Sequence, residues 1–199
     1  MKFGKWVYVA LISIIIASCS SGESNKGDQY YAAGNYEEAI NAYNAYLVNR
    51  PKNVQALYNR GRSHEELGEY EEAERDFLAA LTHDAKNTQV LLSLSNIYQK
   101  QKKHTSALLY AEYAVEVAGA PAMAYFMKGR ALHQLGNTEE AYKEYSTAIK
   151  MDKNFGQAYY YRGLLKFATD RVKSGCDDMR SAIKLNFEDA QEAMERYCQ

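Results

Sequence analysis

The sequence predicts an all-α, right-handed solenoid of five helix-turn-helix units closed by a C-terminal capping helix. Three observations carry that prediction. A pattern of period 34 runs from Ser20 onward without an insertion, small residues recur at fixed phases of it, and only two prolines interrupt 199 residues. One phase holds Gly27, Gly61, Ser95, Gly129 and Gly163, and a second holds Ala39, Ala73, Ala107, Ala141 and Gly175. A third reads Tyr46, Ala80, Ala114, Ala148 and Ala182. Self-similarity at this spacing marks stacked helical pairs, each of which buries its apolar face only against its neighbours. Such stacks serve as scaffolds more often than as catalysts.

The first residues stand apart from the repeat. Lys2 and Lys5 precede an uncharged apolar run of twelve, Trp6 to Ala17. That run is short for a membrane-spanning helix and suits the apolar region of an export signal. It ends at Ile16, Ala17, Ser18 and Cys19, which resembles the lipobox of bacterial lipoproteins. The resemblance implies cleavage after residue 18 and a diacylglyceryl group on Cys19. Two or three acyl chains hold a protein on a membrane almost permanently, because each buried methylene contributes about 0.8 kcal/mol. Ser20 stands where an inner-membrane retention signal often has Asp, which favours the outer membrane, with the domain facing the periplasm or displayed at the surface. Residues 19–26 read as a lipidated N-terminus and tether spanning roughly 15 Å. Glu23 and Lys26 occupy phases that call for apolar residues, so the first helix is expected to begin late, near Ser24–Lys26.

The units then follow at 20–53, 54–87, 88–121, 122–155 and 156–189, with the folded solenoid over 27–189. Gly34, Gly68 and Gly136 close the first helices of their units, where a left-handed residue ends a helix. Seven of the twelve glycines fall at positions 8 and 15 of the repeat, which makes them architectural rather than parts of a phosphate loop. Tyr43, Phe77 and Tyr145 are expected to fill the space between helices of neighbouring units. Pro51 and Pro121 lie at unit junctions, where no helix needs their missing N–H. Unit 3 departs most, with Ser95, Lys102 and His104 in place of small, glycine and aromatic residues, and reads as the soft point of the stack. Unit 5 replaces the usual alanine with Gly175. Over 187–199, Phe187, Ala190, Ala193, Met194 and Tyr197 recur at helical spacing, which marks the cap. Cys176 and Cys198 lie on either side of a turn near Asn186 and can meet across an antiparallel hairpin. An exported chain favours a disulfide there; two reduced cysteines in a helix interface are the alternative.

The pattern resembles the tetratricopeptide repeat, whose signature has small residues at positions 8, 20 and 27. Unit 2 carries it best, through Leu57, Gly61, Leu67, Gly68, Tyr70, Ala73, Phe77 and Ala80. Unit 4 follows with Tyr125, Gly129, Leu135, Gly136, Ala141, Tyr145 and Ala148. The resemblance implies that the first helices line a concave groove, mainly through positions 2, 5, 6, 9 and 12. Those positions supply Tyr58, Asn59, Arg62 and Glu65 from unit 2, then Gln89, Leu92, Ser93, Asn96 and Gln99 from unit 3. Unit 4 supplies Met123, Phe126, Met127, Arg130 and His133, and unit 5 supplies Tyr160, Tyr161, Leu164 and Phe167. Tyrosine and arginine dominate binding hot spots, because both bury area while keeping a polar handle. Chaperone-binding members of the family hold a terminal carboxylate with lysines and asparagines. Asn59 and Asn96 match that pattern, but no unit has lysine at position 2 or 5.

Other chemistry finds little support in the sequence. A net charge of -1 argues against nucleic acid held by bulk electrostatics. His64, His83, His104 and His133 show no metal-ligand spacing, and no cofactor motif is present. Glu37-Glu38, Glu71-Glu72 and Glu139-Glu140 open second helices, where they oppose the helix dipole and need no acid–base role. The expected function is therefore a lipid-anchored scaffold or adaptor of the bacterial envelope. It would bind a peptide or partner protein in its groove, with no enzyme activity. A self-associating homo-oligomer is the second reading, and an enzyme subunit with a cryptic thiol or histidine site the third.

Overall fold

The computed structural model describes residues 20–198, with side chains from Lys26 to Cys198. The expected export signal at 1–18 and the expected lipidation site Cys19 lie outside the described residues. Among the described residues there are eleven α-helices and no strand. They run α1 (Ser20–Ala32), α2 (Tyr36–Asn49), α3 (Val54–Glu66), α4 (Tyr70–Leu81), α5 (Thr88–Lys100) and α6 (His104–Glu116). Then come α7 (Ala122–Gln134), α8 (Thr138–Met151), α9 (Gly156–Ala168), α10 (Val172–Lys184) and α11 (Asp189–Tyr197). Consecutive helices pack as pairs, the pairs stack in chain order, and α11 closes the stack against α10 and α9.

One expected boundary differs. Helix α1 begins at Ser20 rather than near Ser24–Lys26, so the segment read as a tether continues the helix. The physical reason is cooperativity. Once Gly27 to Ala32 are docked on α2, each further residue on the N-terminal side adds a backbone hydrogen bond without a new nucleus.

Each unit is held by a close approach between its two helices. A methyl group placed on Gly61 would lie 2.7 Å from the Phe77 ring, and one on Gly129 would lie 2.8 Å from the Tyr145 ring. In units 2 and 4 position 8 is therefore bare because the ring at position 24 of the same unit rests on it; in unit 5 the Met179 side chain takes that place over Gly163. Phe77 and Tyr145 are fully buried, and Tyr145 also reaches Tyr161 of the next unit at 6.1 Å. The large residues thus pack first within their own units and only secondarily between units.

The exceptions follow the same rule. Unit 3 changes both partners together: Ser95 takes position 8 and Ala111 takes position 24, both fully buried. The Ser95 hydroxyl donates to the Ala107 carbonyl at 2.9 Å, so the extra polar atom is satisfied. Lys102 and Asp170 adopt the left-handed turn that glycine fills elsewhere, with φ of 59° and 58°. Unit 3 thus keeps the two-helix geometry of its neighbours. In unit 5, a methyl on Gly175 would lie 2.5 Å from the Phe167 ring. Phe167 in turn stacks on Tyr197 of the cap at 4.6 Å. Ala190 and Ala193 bury the inner face of α11, and Phe187 packs on Tyr160 at 5.0 Å. Cys176 in α10 and Cys198 at the end of α11 are joined, with S–S 2.09 Å and Cα–Cα 5.8 Å.

A partly buried charge column runs beside these contacts. Arg60 pairs with Asp76, Lys128 with Glu144 and Arg162 with Asp178, each spanning the two helices of one unit. Arg60 and Arg162 also reach back to Asn44 and Ser146 of the preceding units. Arg162 and Lys166 share Asp178, which is almost wholly buried. The signal was present in the sequence as a basic residue at position 7 and an acid at position 23.

Two outcomes are expected. Gly129→Ala should lower stability by about 1–3 kcal/mol, because the Tyr145 ring has no room to retreat; urea denaturation measures it. Cys198→Ser should lower it by about 3 kcal/mol, the chain-entropy value for closing a loop of this length, read from the same titration. Two thiols free to alkylate in the native protein would remove the second expectation.

Candidate binding groove

The first helices α1, α3, α5 and α7 pack side by side in chain order, so their exposed faces form one surface. Along it, side chains 31 residues apart meet across successive helices. Asn59 donates to Asp28 at 2.8 Å, Arg62 to the Tyr31 hydroxyl at 3.0 Å, and Asn96 to Glu65 at 2.7 Å. This register follows from the repeat: position 12 of one unit faces position 9 of the next, and position 9 faces position 6.

The N-terminal half of the surface is a polar network of hydrogen bonds and ion pairs. Arg62 also donates to the Tyr58 hydroxyl at 3.3 Å and pairs with Glu65 and Glu66 at 3.5 and 3.4 Å. Burial works against the Arg62 charge, but the Tyr58 hydrogen bond and the neighbouring Tyr58, Tyr31 and Glu65 outweigh it and raise its pKa. Tyr31 donates to Glu66 at 3.3 Å, and Lys100 reaches Glu65 at 2.9 Å. Tyr43 donates to Asp28 at 2.6 Å; burial, reinforced by this bond, pushes its phenol pKa up. Of the sequence-expected residues, Tyr58, Asn59, Arg62 and Asn96 come together here. Asp28, Tyr31, Glu66 and Lys100 were missed. Asp28 and Tyr31 occupy positions 9 and 12 of unit 1, the same phases that supply groove residues in the later units.

The C-terminal half is aromatic. Tyr160 and Tyr161 lie edge to face at 5.3 Å, and Leu92 packs partly buried beside α7. Two expected groove residues are corrected. Phe126 is 1% exposed and Met127 is 4% exposed, so neither meets a partner. Phe126 is enclosed by Tyr145, Phe155 and Tyr161 at 5.8, 4.9 and 5.6 Å, and this aromatic cluster claims it for the core.

Arg130 lies over the Phe126 and Tyr161 rings at 6.0 and 5.5 Å. Among the described residues no carboxylate pairs with it. Arg62, at the same position of unit 2, has two. The two arginines that the sequence treated alike are therefore different: one is spent on the fold and the other is available.

At the far end, Tyr160, Leu164, Asp189, Glu192, Arg196 and Tyr197 line most of a cavity of about 170 Å³ between α9 and the cap. The histidines are dispersed: His64 contacts Glu69, His104 contacts Gln99, and His133 faces the Tyr145 hydroxyl at 3.5 Å. Among the described residues no three His, Cys, Asp or Glu side chains gather in a way that would hold a metal ion. No helix among them is long and apolar enough to cross a membrane.

Family models of the tetratricopeptide repeat match residues 25–89 and 129–170. The chain carries tetratricopeptide repeats. MamA 41-end from Desulfovibrio magneticus RS-1 superposes with a TM-score of 0.77 at 20% identity, covering 86% of this chain and 97% of that one. YrrB, described as a TPR protein with an unusual peptide-binding site, superposes at 0.71 with 21% identity, covering 88% and 92%. PilW, a type IV pilus biogenesis factor, superposes at 0.75 with 15% identity, covering 89% and 80%. At such identities the similarity establishes the fold alone. No curated protein sequence matches the chain.

His133 yields a pH expectation. Burial lowers its pKa below the usual 6.5, so the unfolded chain takes up the proton first. The contribution of neutral His133 to stability is complete above its unfolded pKa and is lost as pH falls from there through the lower folded value. Denaturation midpoints at about pH 7.5 and about pH 5 should therefore differ more for the wild type than for His133→Gln.

Proposed function

We propose that this protein is a lipid-anchored adaptor of the bacterial envelope, holding an extended segment of a partner protein along the face of its first helices. The observation that carries the reading is the aromatic half of that face. There Tyr160 and Tyr161 stand partly exposed beside Arg130, whose charge no carboxylate of the described residues neutralises. Exposed tyrosine next to an unspent arginine is the composition of a protein-binding hot spot. The structural neighbours include a protein described as having a peptide-binding site and one described as a pilus biogenesis factor, and both descriptions fit a recognition role. The dispersed histidines and the pairing of Cys176 with Cys198 favour recognition over catalysis. The anchor rests on Ile16 to Cys19, and Ser20 favours the outer membrane with the solenoid on its periplasmic side.

Two variants test the two halves of this reading. Cys19→Ala should move the protein from the membrane fraction to the soluble fraction; continued tight membrane association overturns the anchor. Arg130→Ala combined with Tyr160→Ala should remove the envelope proteins that cross-link to the wild type, with the circular dichroism melt unchanged in form. An identical set of cross-linked partners overturns the groove.

A further inference from the structure

The pairing of α1 with α2 places the beginning of the solenoid beside one particular corner. Position 8 of a first helix lies level with positions 20 to 24 of the second. At Gly163 a methyl group would meet the Gly175 carbonyl at 3.3 Å and the Met179 side chain at 2.7 Å. In unit 1 the same positions are Gly27, Ala39 and Tyr43, and a methyl on Gly27 would lie 2.5 Å from the Tyr43 ring. A short turn at 33–35 joins the two helices, so they run antiparallel. Going back from Gly27 to Ser20 along α1 therefore matches going on by the same seven residues along α2, from 39–43 to 46–50. Ser20 stands level with Val48, and Cys19 directly precedes Ser20.

The corner where α2 passes into α3 has a composition unlike the rest of the surface of unit 1. Val48 is 77% exposed, the most open of the large apolar side chains among the described residues, and Pro51 is exposed close by. Arg50 rests its guanidinium on the Tyr46 ring at 4.9 Å, and Lys52 is exposed. No acid occurs between Glu38 and Glu65, a stretch that holds Arg50, Lys52, Arg60 and Arg62. Arg60 and Arg62 are paired with acids of their own unit, Asp76, Glu65 and Glu66. An exposed aliphatic pair flanked by lysine, arginine and tyrosine suits the boundary of a bilayer. There apolar side chains leave water, tyrosine settles among the headgroups, and basic side chains reach the phosphates.

We propose that the α2–α3 corner docks on an anionic lipid surface, with Val48 and Pro51 entering the headgroup layer and Arg50 and Lys52 meeting lipid phosphates. The inference rests on the acylated Cys19 of the reading above and adds an orientation to it. The occupant follows from the chain itself. Acyl chains on Cys19 bring a bilayer to the level of Val48, because α1 begins at the next residue and leaves no spacer. Attraction to lipid is local here, since the chain as a whole carries a net charge of -1. In this orientation α1 rises about 20 Å from the lipid, which carries Tyr31 and the turn at Gly34 away from it. A partner segment laid across the first helices would then run alongside the membrane.

The test uses the acylated full chain, purified in a mild detergent and reconstituted into vesicles of phosphatidylethanolamine and phosphatidylglycerol. Val48→Cys, Asn41→Cys and Asn35→Cys place single thiols at the bottom, middle and top of α2, all at exposed positions. Cys176 and Cys198 are joined, so under non-reducing conditions a fluorophore goes only to the new thiol. Vesicles carrying a headgroup spin label then quench whatever lies at the lipid surface. The expected result is loss of most of the fluorescence at position 48, a smaller loss at 41 and none at 35.

Proximity to the acyl chains could quench position 48 without contact, and charge separates the two. Arg50→Glu combined with Lys52→Glu should bring quenching at 48 down to the level of 41 while the protein still floats with the vesicles. Replacing phosphatidylglycerol by phosphatidylcholine should do the same with the protein unaltered, which guards against a variant that fails to fold. Quenching at 48 that survives the change of lipid overturns the contact. So does equal quenching at 48, 41 and 35 in protein that floats, and either result leaves the anchor standing. Protein that does not float with the vesicles overturns the anchor and the contact together.

Discussion

The structure depends on one contact that recurs along the chain: a large side chain from the second helix of a unit, a ring in units 1, 2 and 4 and Met179 in unit 5, lying on a bare backbone of the first. Where that contact is kept, at Gly61 under Phe77 and Gly129 under Tyr145, the helices approach too closely for a Cβ. Interiors are packed to crystal density, so the space cannot be shared, and a change on one side requires a change on the other. Unit 3 shows this directly, since Ser95 and Ala111 exchange bulk in opposite senses. Unit 5 extends it outward. Gly175 makes room for Phe167, Phe167 stacks on Tyr197, and the cap is then tied by Cys176 and Cys198. The termination of the solenoid is thus built from the same exchange of volume that builds each unit.

Packing of this kind leaves the first helices in a fixed register, and the register decides the chemistry of their exposed face. Groups 31 residues apart meet, so each junction either satisfies itself or does not. The first two junctions join Tyr31, Arg62, Glu65, Asn96 and Lys100 into a network of hydrogen bonds and ion pairs. Such a network stiffens the N-terminal half and removes its charges from competition for a partner. At the third junction Arg130 lies beside a cluster of aromatic rings. A groove that is polar at one end and aromatic at the other has a direction, and a bound segment would have to respect it.

Much of the fold was legible in the sequence. The five units, the glycine turns at Gly34, Gly68 and Gly136, and the cap around Ala190 and Ala193 were all read correctly from periodicity. These features are local: each follows from a turn residue, a cap or an apolar face. The start of α1 was misread because Glu23 and Lys26 were judged against an apolar template, whereas helix propagation from the docked segment governs that end. Groove residues were less legible. Tyr58, Asn59, Arg62, Asn96, Arg130, Tyr160 and Tyr161 do lie on the first helices, but Phe126 and Met127 are enclosed in the core.

By itself the sequence determined the architecture, because a repeated pattern of small, apolar and turn residues has only one way to bury its faces: against copies of itself. It also set the apolar run from Trp6 to Ala17 apart from the repeat by composition alone. Only the tertiary structure decided which groove side chains are spent and which are free. Arg62 and Arg130 share a position and a residue type, but Glu65 and Glu66 follow the first where His133 and Gln134 follow the second. Part of their difference is local, since those two acids lie three and four residues beyond Arg62 on α3. The Tyr31 hydroxyl that Arg62 reaches on the preceding first helix meets it only once the units are stacked in register.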